Sequence, residues 1–143
     1  MTPEERNVAT LREANRLWHE SKGTSIEHWA SIAGDNVHIA SIADGAPTAE
    51  FSRPRLSRED LRGYLTELTR DWSMNYHRMD DYIAQGNRVA SSGKISWTHK
   101  KTGKTCTTIK VDIWTFDEEG RGIDFLEVYD TAALFAAATP DPA

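Results

Sequence analysis

The chain has a single cysteine, Cys106, among 143 residues. An internal disulfide and a cysteine-rich zinc site are therefore excluded. It has no apolar run long enough to span a bilayer and no signal-peptide pattern, since residues 1–20 read as polar and helical. It has no surplus of positive charge: 17 Lys and Arg stand against 22 Asp and Glu, a formal net charge of −5. That balance argues against nucleic acid or an anionic membrane as the main partner. No His-x-x-x-His pair, no clustered His/Cys spacing and no glycine-rich phosphate loop occurs, so neither a metal nor a nucleotide cofactor is expected. No internal repeat or low-complexity stretch is present. What remains is an ordinary globular composition, 38% hydrophobic and 27% charged, of a size that forms one domain with a real core. The simplest compartment for such a chain is the cytoplasm.

The pattern places helices first and strands afterwards. Thr2-Pro3-Glu4-Glu5 is a helix start, with a capping threonine, a proline suited to the first helical position and acids in the first turn. Val8, Leu11, Ala14, Leu17 and Trp18 supply one apolar face up to about Glu20, where Lys22-Gly23 ends the helix. A second, short helix follows Ser25 and is expected to stop at Gly34. Asn36–Ile42 is a short strand candidate, and the turn-rich stretch 43–54 reads as a surface loop or lid. Ser57 caps a third helix whose buried stripe is Leu61, Leu65, Leu68 and Trp72. After Trp72 the period changes from 3.6 to 2. Met74–Ala84, Arg88–His99, Thr105–Asp117 and Gly122–Tyr129 read as four strands joined by hairpin-type turns. Helices followed by an antiparallel meander form an α+β pattern, because a parallel sheet would alternate the two.

Alternation then sorts the strand residues into faces. Ile109, Val111 and Ile113 share one side of the third long strand, and Thr108, Lys110, Asp112 and Trp114 share the other. On the last strand Phe125, Glu127 and Tyr129 oppose Asp124, Leu126, Val128 and Asp130. A polar face in plain water would explain the split, but Trp114 lies on it and the helical stripes need a surface to cover. If the helices cover that side, it becomes a partly apolar cavity holding a few ionisable groups. Burial would raise the carboxyl pKa values there and Lys110 would lower them.

The stretches "GNRVASSGKISWTHKKTGKT", "KVDIWTF" and "IDFLEVYDTA", following helices, resemble the ketosteroid isomerase-like, nuclear-transport-factor-2-like superfamily, and most nearly its small SnoaL-like, polyketide-cyclase-like branch. The resemblance covers about residues 8–134. It implies a single domain with a short C-terminal tail at 135–143. N-terminal helices would pack on a curved antiparallel sheet, a cystatin-like α+β barrel enclosing a cone-shaped pocket. It also implies a homodimer through the outer sheet face, where Ile109, Val111 and Ile113 would otherwise lie bare. Functional residues carry over unevenly. The aspartate base of the ketosteroid isomerases falls on Ala40, and their helix-borne tyrosine falls near Asn15 and Arg16. The arginine and first aspartate of the epoxide hydrolases of this superfamily fall on Gly93 and Ile95. Their last aspartate falls on Glu127, and their first-strand tyrosine on His38.

Glu127, His38, Asp112 and Lys110 are thus the candidate catalytic groups: Glu127 as acid/base, His38 and Asp112 as partners, Lys110 stabilising negative charge. Trp97, Trp114, Tyr129, Phe125, Leu68, Trp72, Met74 and Leu17 are the candidate walls for a small-molecule ligand. Asp130 is expected to cap the turn after the last strand, Asp124 to pair with Arg121, and His77 and His99 to sit at exposed strand positions. The expected function is cofactor-independent acid/base chemistry on a small apolar organic molecule: isomerisation, cyclisation, dehydration or hydrolysis. The alternative is a non-catalytic module of the same fold that binds a hydrophobic ligand or merely dimerises. Glu127 and His38 facing each other in an open pocket would favour the enzyme. A sealed interior, or Lys110 paired with both acids, would favour the alternative.

Overall fold

The computed structural model describes residues 1–143, the whole chain. Its elements run α1 (Pro3–Glu20), α2 (Ile26–Ile32), β1 (Ala33–Ser41), α3 (Arg58–Asp71), β2 (Trp72–Gln85), β3 (Arg88–His99), β4 (Thr105–Phe116), β5 (Gly122–Tyr129) and α4 (Thr131–Ala138). The strands form one curved sheet in the order β1-β5-β4-β3-β2, open at both edges, with the helices packed on its concave side. This is the expected α+β layering, although the sheet does not close into a barrel. No helix is long and apolar enough to cross a membrane.

The helix starts follow from their caps. Thr2 accepts from the Glu5 N–H while Glu5 reaches back to Thr2, a complete capping box, and Ser57 accepts from the Asp60 N–H. The buried face of α1 is Asn7, Leu11, Ala14, Asn15 and Trp18, with Leu17 half-buried at its flank. β2–β3, β3–β4 and β4–β5 pair antiparallel as the hairpin turns require.

Four expectations need correction. Gly34 is not a helix cap but lies inside β1, which begins directly after α2. β1 joins the meander beside β5 in parallel, because the long excursion through α3 and three strands brings the chain back in the same direction. The stretch 43–54 is built into the wall: it contains a 3₁₀ turn, Glu50–Ser52, and buries Ala49, Phe51 and Ser52. Arg55 anchors its end, bridging β1 at Ile39, donating to the Phe51 carbonyl at 2.9 Å and pairing with Glu67 at 2.8 Å. The Arg53 and Arg55 guanidiniums hold the Glu67 carboxyl down to about 2, against its burial. Finally, the C-terminal segment is no tail up to residue 138. Asp130 caps α4 by accepting from Ala133 N–H at 3.1 Å, and Leu134, Ala137 and Ala138 are buried.

Candidate functional site

Strand register sets the site. Tyr82, Ser91, Asp112, Glu127 and Ser41 are successive cross-strand partners from β2 to β1, so they form one row across the concave face. The adjoining row runs Met79, Gly93, Lys110, Tyr129. Asp112 and Glu127 are thus direct neighbours, with Cβ atoms roughly 5 Å apart in this type of pairing. Both are buried, at 3% and 4% exposure. Lys110, from the next row, reaches back between them. Its Nζ is 3.0 Å from Glu127 Oε2 and 3.4 Å from Asp112 Oδ1. The Tyr129 and Ser41 hydroxyls meet at 2.7 Å beside them.

One ammonium faces two carboxyls. Full ionisation would leave a net negative charge out of water, and the cheaper state keeps one proton on the pair. Burial pushes the Glu127 carboxyl from its ordinary 4.5 up to about 8, opposed by the Ser41 hydroxyl, and Lys110 at 3.0 Å pulls the same way as Ser41. Burial also raises Asp112, and Lys110 lowers it. Tyr129 is pushed up as well, by burial first and by Glu127 second. Glu127 Oε1 has no hydrogen-bond partner, and Asp112 Oδ1 has only the Lys110 ammonium at 3.4 Å, outside hydrogen-bond geometry.

The acids face a cavity of about 80 Å³ between sheet and helices, with 16 of its 22 lining residues hydrophobic. Of the expected walls, Trp97, Trp114, Tyr129, Phe125, Leu68 and Trp72 line it. The other two do not. Met74 is buried in the core beyond the cavity, and Leu17 stays on the flank of α1 while Trp18 points in. His38 is a clear correction. Val37, Ile39 and Ser41 face inward on β1, so His38, one residue out of phase, is exposed on the outer face with Ala40. Two apolar residues fix that phase, and the cavity receives Ile39 where His38 was expected. Asp124 does not pair with Arg121, which binds Asp117 and Glu119.

The cavity has further lining groups beyond those expected from the sequence. Trp18 and Trp29 join Trp97 and Trp114 in a continuous aromatic wall: Trp29 stacks on Trp114 at 6.0 Å, and Trp18 lies 6.4 Å from Trp29 and 6.2 Å from Trp97. Phe51 and Tyr64 meet edge-to-face at 5.6 Å and enter from the wall segment and α3. His77 is buried and lines the cavity, contrary to the expectation that it is exposed. Register shifts between Met74 and Tyr76 and between Met79 and Asp81 re-phase β2, turning His77 inward. Asn15 donates through Nδ2 to the Tyr82 hydroxyl at 3.0 Å, which leaves its Oδ1 to accept from His77 Nε2 at 2.9 Å. Burial, then Lys110, then His19, drive the His77 pKa well down, so the ring stays neutral. Asn15, in phase with Leu11 and Trp18 on the apolar face of α1, is the signal in the sequence that points to this pair.

No family model matches this sequence, and no curated protein matches it. Solved structures do. An NTF2-like protein of unknown function from Burkholderia pseudomallei superposes with a TM-score of 0.80 at 18% identity, covering 97% of this chain and 99% of that one. A Jannaschia protein named as a SnoaL-like polyketide cyclase gives 0.77 at 14% identity, covering 99% and 97%. TerC, crystallised with polyporic acid, gives 0.76 at 18% identity, covering 93% and 98%. At these identities the likeness establishes the fold, which is the NTF2-like fold that the sequence resemblance implied.

Proposed function

We propose that the chain is a cofactor-independent acid/base enzyme acting on a small, mostly apolar organic molecule in the cavity. One observation carries this: two buried carboxyls share one lysine, so the pair holds a proton at neutral pH beside an apolar wall. The protonated carboxyl donates its proton to a carbonyl oxygen while its ionised partner takes a proton from the neighbouring carbon, giving an enol. The abstracted proton is then delivered to another carbon as the enol hydroxyl returns its proton to the first carboxylate, which restores both acids. Lys110 offsets the negative charge that remains. The SnoaL-like and ligand-bound neighbours support a small-molecule site, and the cavity volume restricts an unaided fit to compact ligands.

The pairing of Lys110 with both acids also favours a second reading, a non-catalytic binder. The two separate in one measurement: α-hydron exchange of cyclopentanone in D₂O, followed by NMR. Wild-type protein is expected to accelerate exchange, and Glu127→Gln to lose about 100-fold or more of that rate. Exchange no faster in wild type than in an Asp112→Asn/Glu127→Gln double variant overturns the enzymatic reading.

We also propose a homodimer through the outer sheet face. Ile109 is 69% exposed there, beside Val111, Ile113, Leu126 and Val128 in register on β4 and β5, a contiguous apolar surface unusual for a monomer.

A further inference from the structure

We infer that the cavity is built for an alkylammonium ligand, a protonated primary or secondary amine on a compact hydrocarbon skeleton. Its N–H groups would meet Glu127 Oε1, which has no donor, and Asp112 Oδ1, which has only a long contact to Lys110, and its alkyl groups would lie on the tryptophans. The inference deepens the reading above, from which it takes only the placement of the two acids.

Three observations converge. The first is charge. Among the groups that face the pair, Lys110 is the one cation, and it can neutralise one carboxylate. His77 stays neutral, and so do Tyr129, Tyr82 and Cys106, all raised by burial. Asn15, which lines the cavity, and Ser41, bonded to Tyr129 beside it, have no ionisable group. The site is therefore one positive charge short, and the empty protein supplies it as a proton. The second is hydrogen bonding. Glu127 Oε1 is an acceptor without a donor, and Asp112 Oδ1 has only the Lys110 ammonium at 3.4 Å, outside hydrogen-bond geometry; the two residues are 96–97% buried and both line the cavity. An ammonium brings donors, whereas a carbonyl brings none. The third is the wall. All five tryptophans of the chain line this one cavity, together with Phe51 and Phe125. Lys110 Nζ already lies 5.8 Å from the Phe125 ring centroid, so the site holds one cation against an aromatic face. Aromatic faces around a desolvated carboxylate favour an alkyl cation over a neutral molecule of the same shape. The volume is about 80 Å³, against ~150 Å³ for a cavity that takes benzene, which selects skeletons of a few heavy atoms.

Binding of the cation must expel the proton it replaces. Affinity therefore rises with pH until the carboxyl pair is ionised, and it holds until the amine itself loses its proton near the lysine range. tert-Butylammonium and tert-butanol form an isosteric pair that isolates charge from shape. The chain's tryptophan emission reports both, since every tryptophan borders the cavity. At pH 8.5 and constant ionic strength, tert-butylammonium is expected to bind about tenfold or more tighter than tert-butanol. Its Kd should weaken by up to about tenfold per pH unit below 8, while that of tert-butanol stays flat. Glu127→Gln leaves a neutral Asp112–Lys110 pair, so the preference should collapse and the pH dependence vanish. Retained tert-butanol binding shows that the variant's cavity is intact, and if the variant does not fold the wild-type pH profile decides alone. Equal affinities for the two probes, a pH-independent ammonium affinity, or no response to either overturns the inference. Ammonium binding without cyclopentanone exchange would remove the enzymatic reading and leave this one, and exchange with no preference for ammonium would do the reverse.

Discussion

Replacing Glu127 by Gln should change how stability depends on pH, and the size of the change follows from the site. In the folded protein Glu127 keeps its proton to about 8, against an ordinary 4.5. The unfolded chain releases it near that ordinary value. Between these limits the native state binds more protons, so stability must fall as pH rises. The contribution is complete below about 4.5 and gone above about 8. At 1.36 kcal/mol per pH unit the full loss is about 5 kcal/mol. That figure is a ceiling, because Lys110 at 3.0 Å favours the ionised form. His77 acts with the opposite sign: its depressed folded pKa contributes stability above its usual 6.5 that is lost as pH falls. A single pH profile would mix the two, whereas the difference between wild type and Glu127→Gln cancels His77. Urea unfolding followed by tryptophan fluorescence at pH 5, 6, 7 and 8 measures that difference. Wild type should lose up to about 1.4 kcal/mol per pH unit relative to the variant across this range. A difference constant from pH 5 to 8 would mean that Glu127 is ionised throughout. The shared-proton argument, and the acid/base role drawn from it, would then fail.

Two further outcomes are expected. Gly93→Ala should cost about 3 kcal/mol or more, read as a lowered thermal midpoint, because its Cβ would run into the Arg78 carbonyl oxygen at the β2 bulge beside the Lys110 row. Unchanged stability would show that the bulge relaxes freely. Ile109→Lys places a charge on the most exposed residue of the apolar outer face, at one end of the Ile109, Val111 and Ile113 run, and should convert the dimer to monomer in sedimentation velocity, with the fold intact by circular dichroism. A wild-type protein that sediments as a monomer refutes the proposed interface.

Strand periodicity told most about the site. Lys110, Asp112, Trp114, Phe125, Glu127 and Tyr129 all fall on the concave face because β4 and β5 alternate cleanly, and a strand has only two sides. Helix capping at Thr2 and Ser57 was equally plain, since a cap depends on residues three apart. His38 lies outside the cavity because Val37 and Ile39 set the apolar phase of β1, which overrides the position that the resemblance implies for it. His77 was out of reach for a different reason: its orientation depends on bulges in β2, and a bulge arises from pairing with a distant strand. The local sequence therefore determined the layering, the hairpins and which acids share a face. Only the tertiary structure decided that β1 returns parallel to β5, that the 43–54 stretch becomes wall, and that five tryptophans scattered over nearly a hundred residues surround a single pair of carboxyls. Each of these rests on contacts between segments far apart in the chain, and their free energy exists only once the whole sheet has curved around its helices.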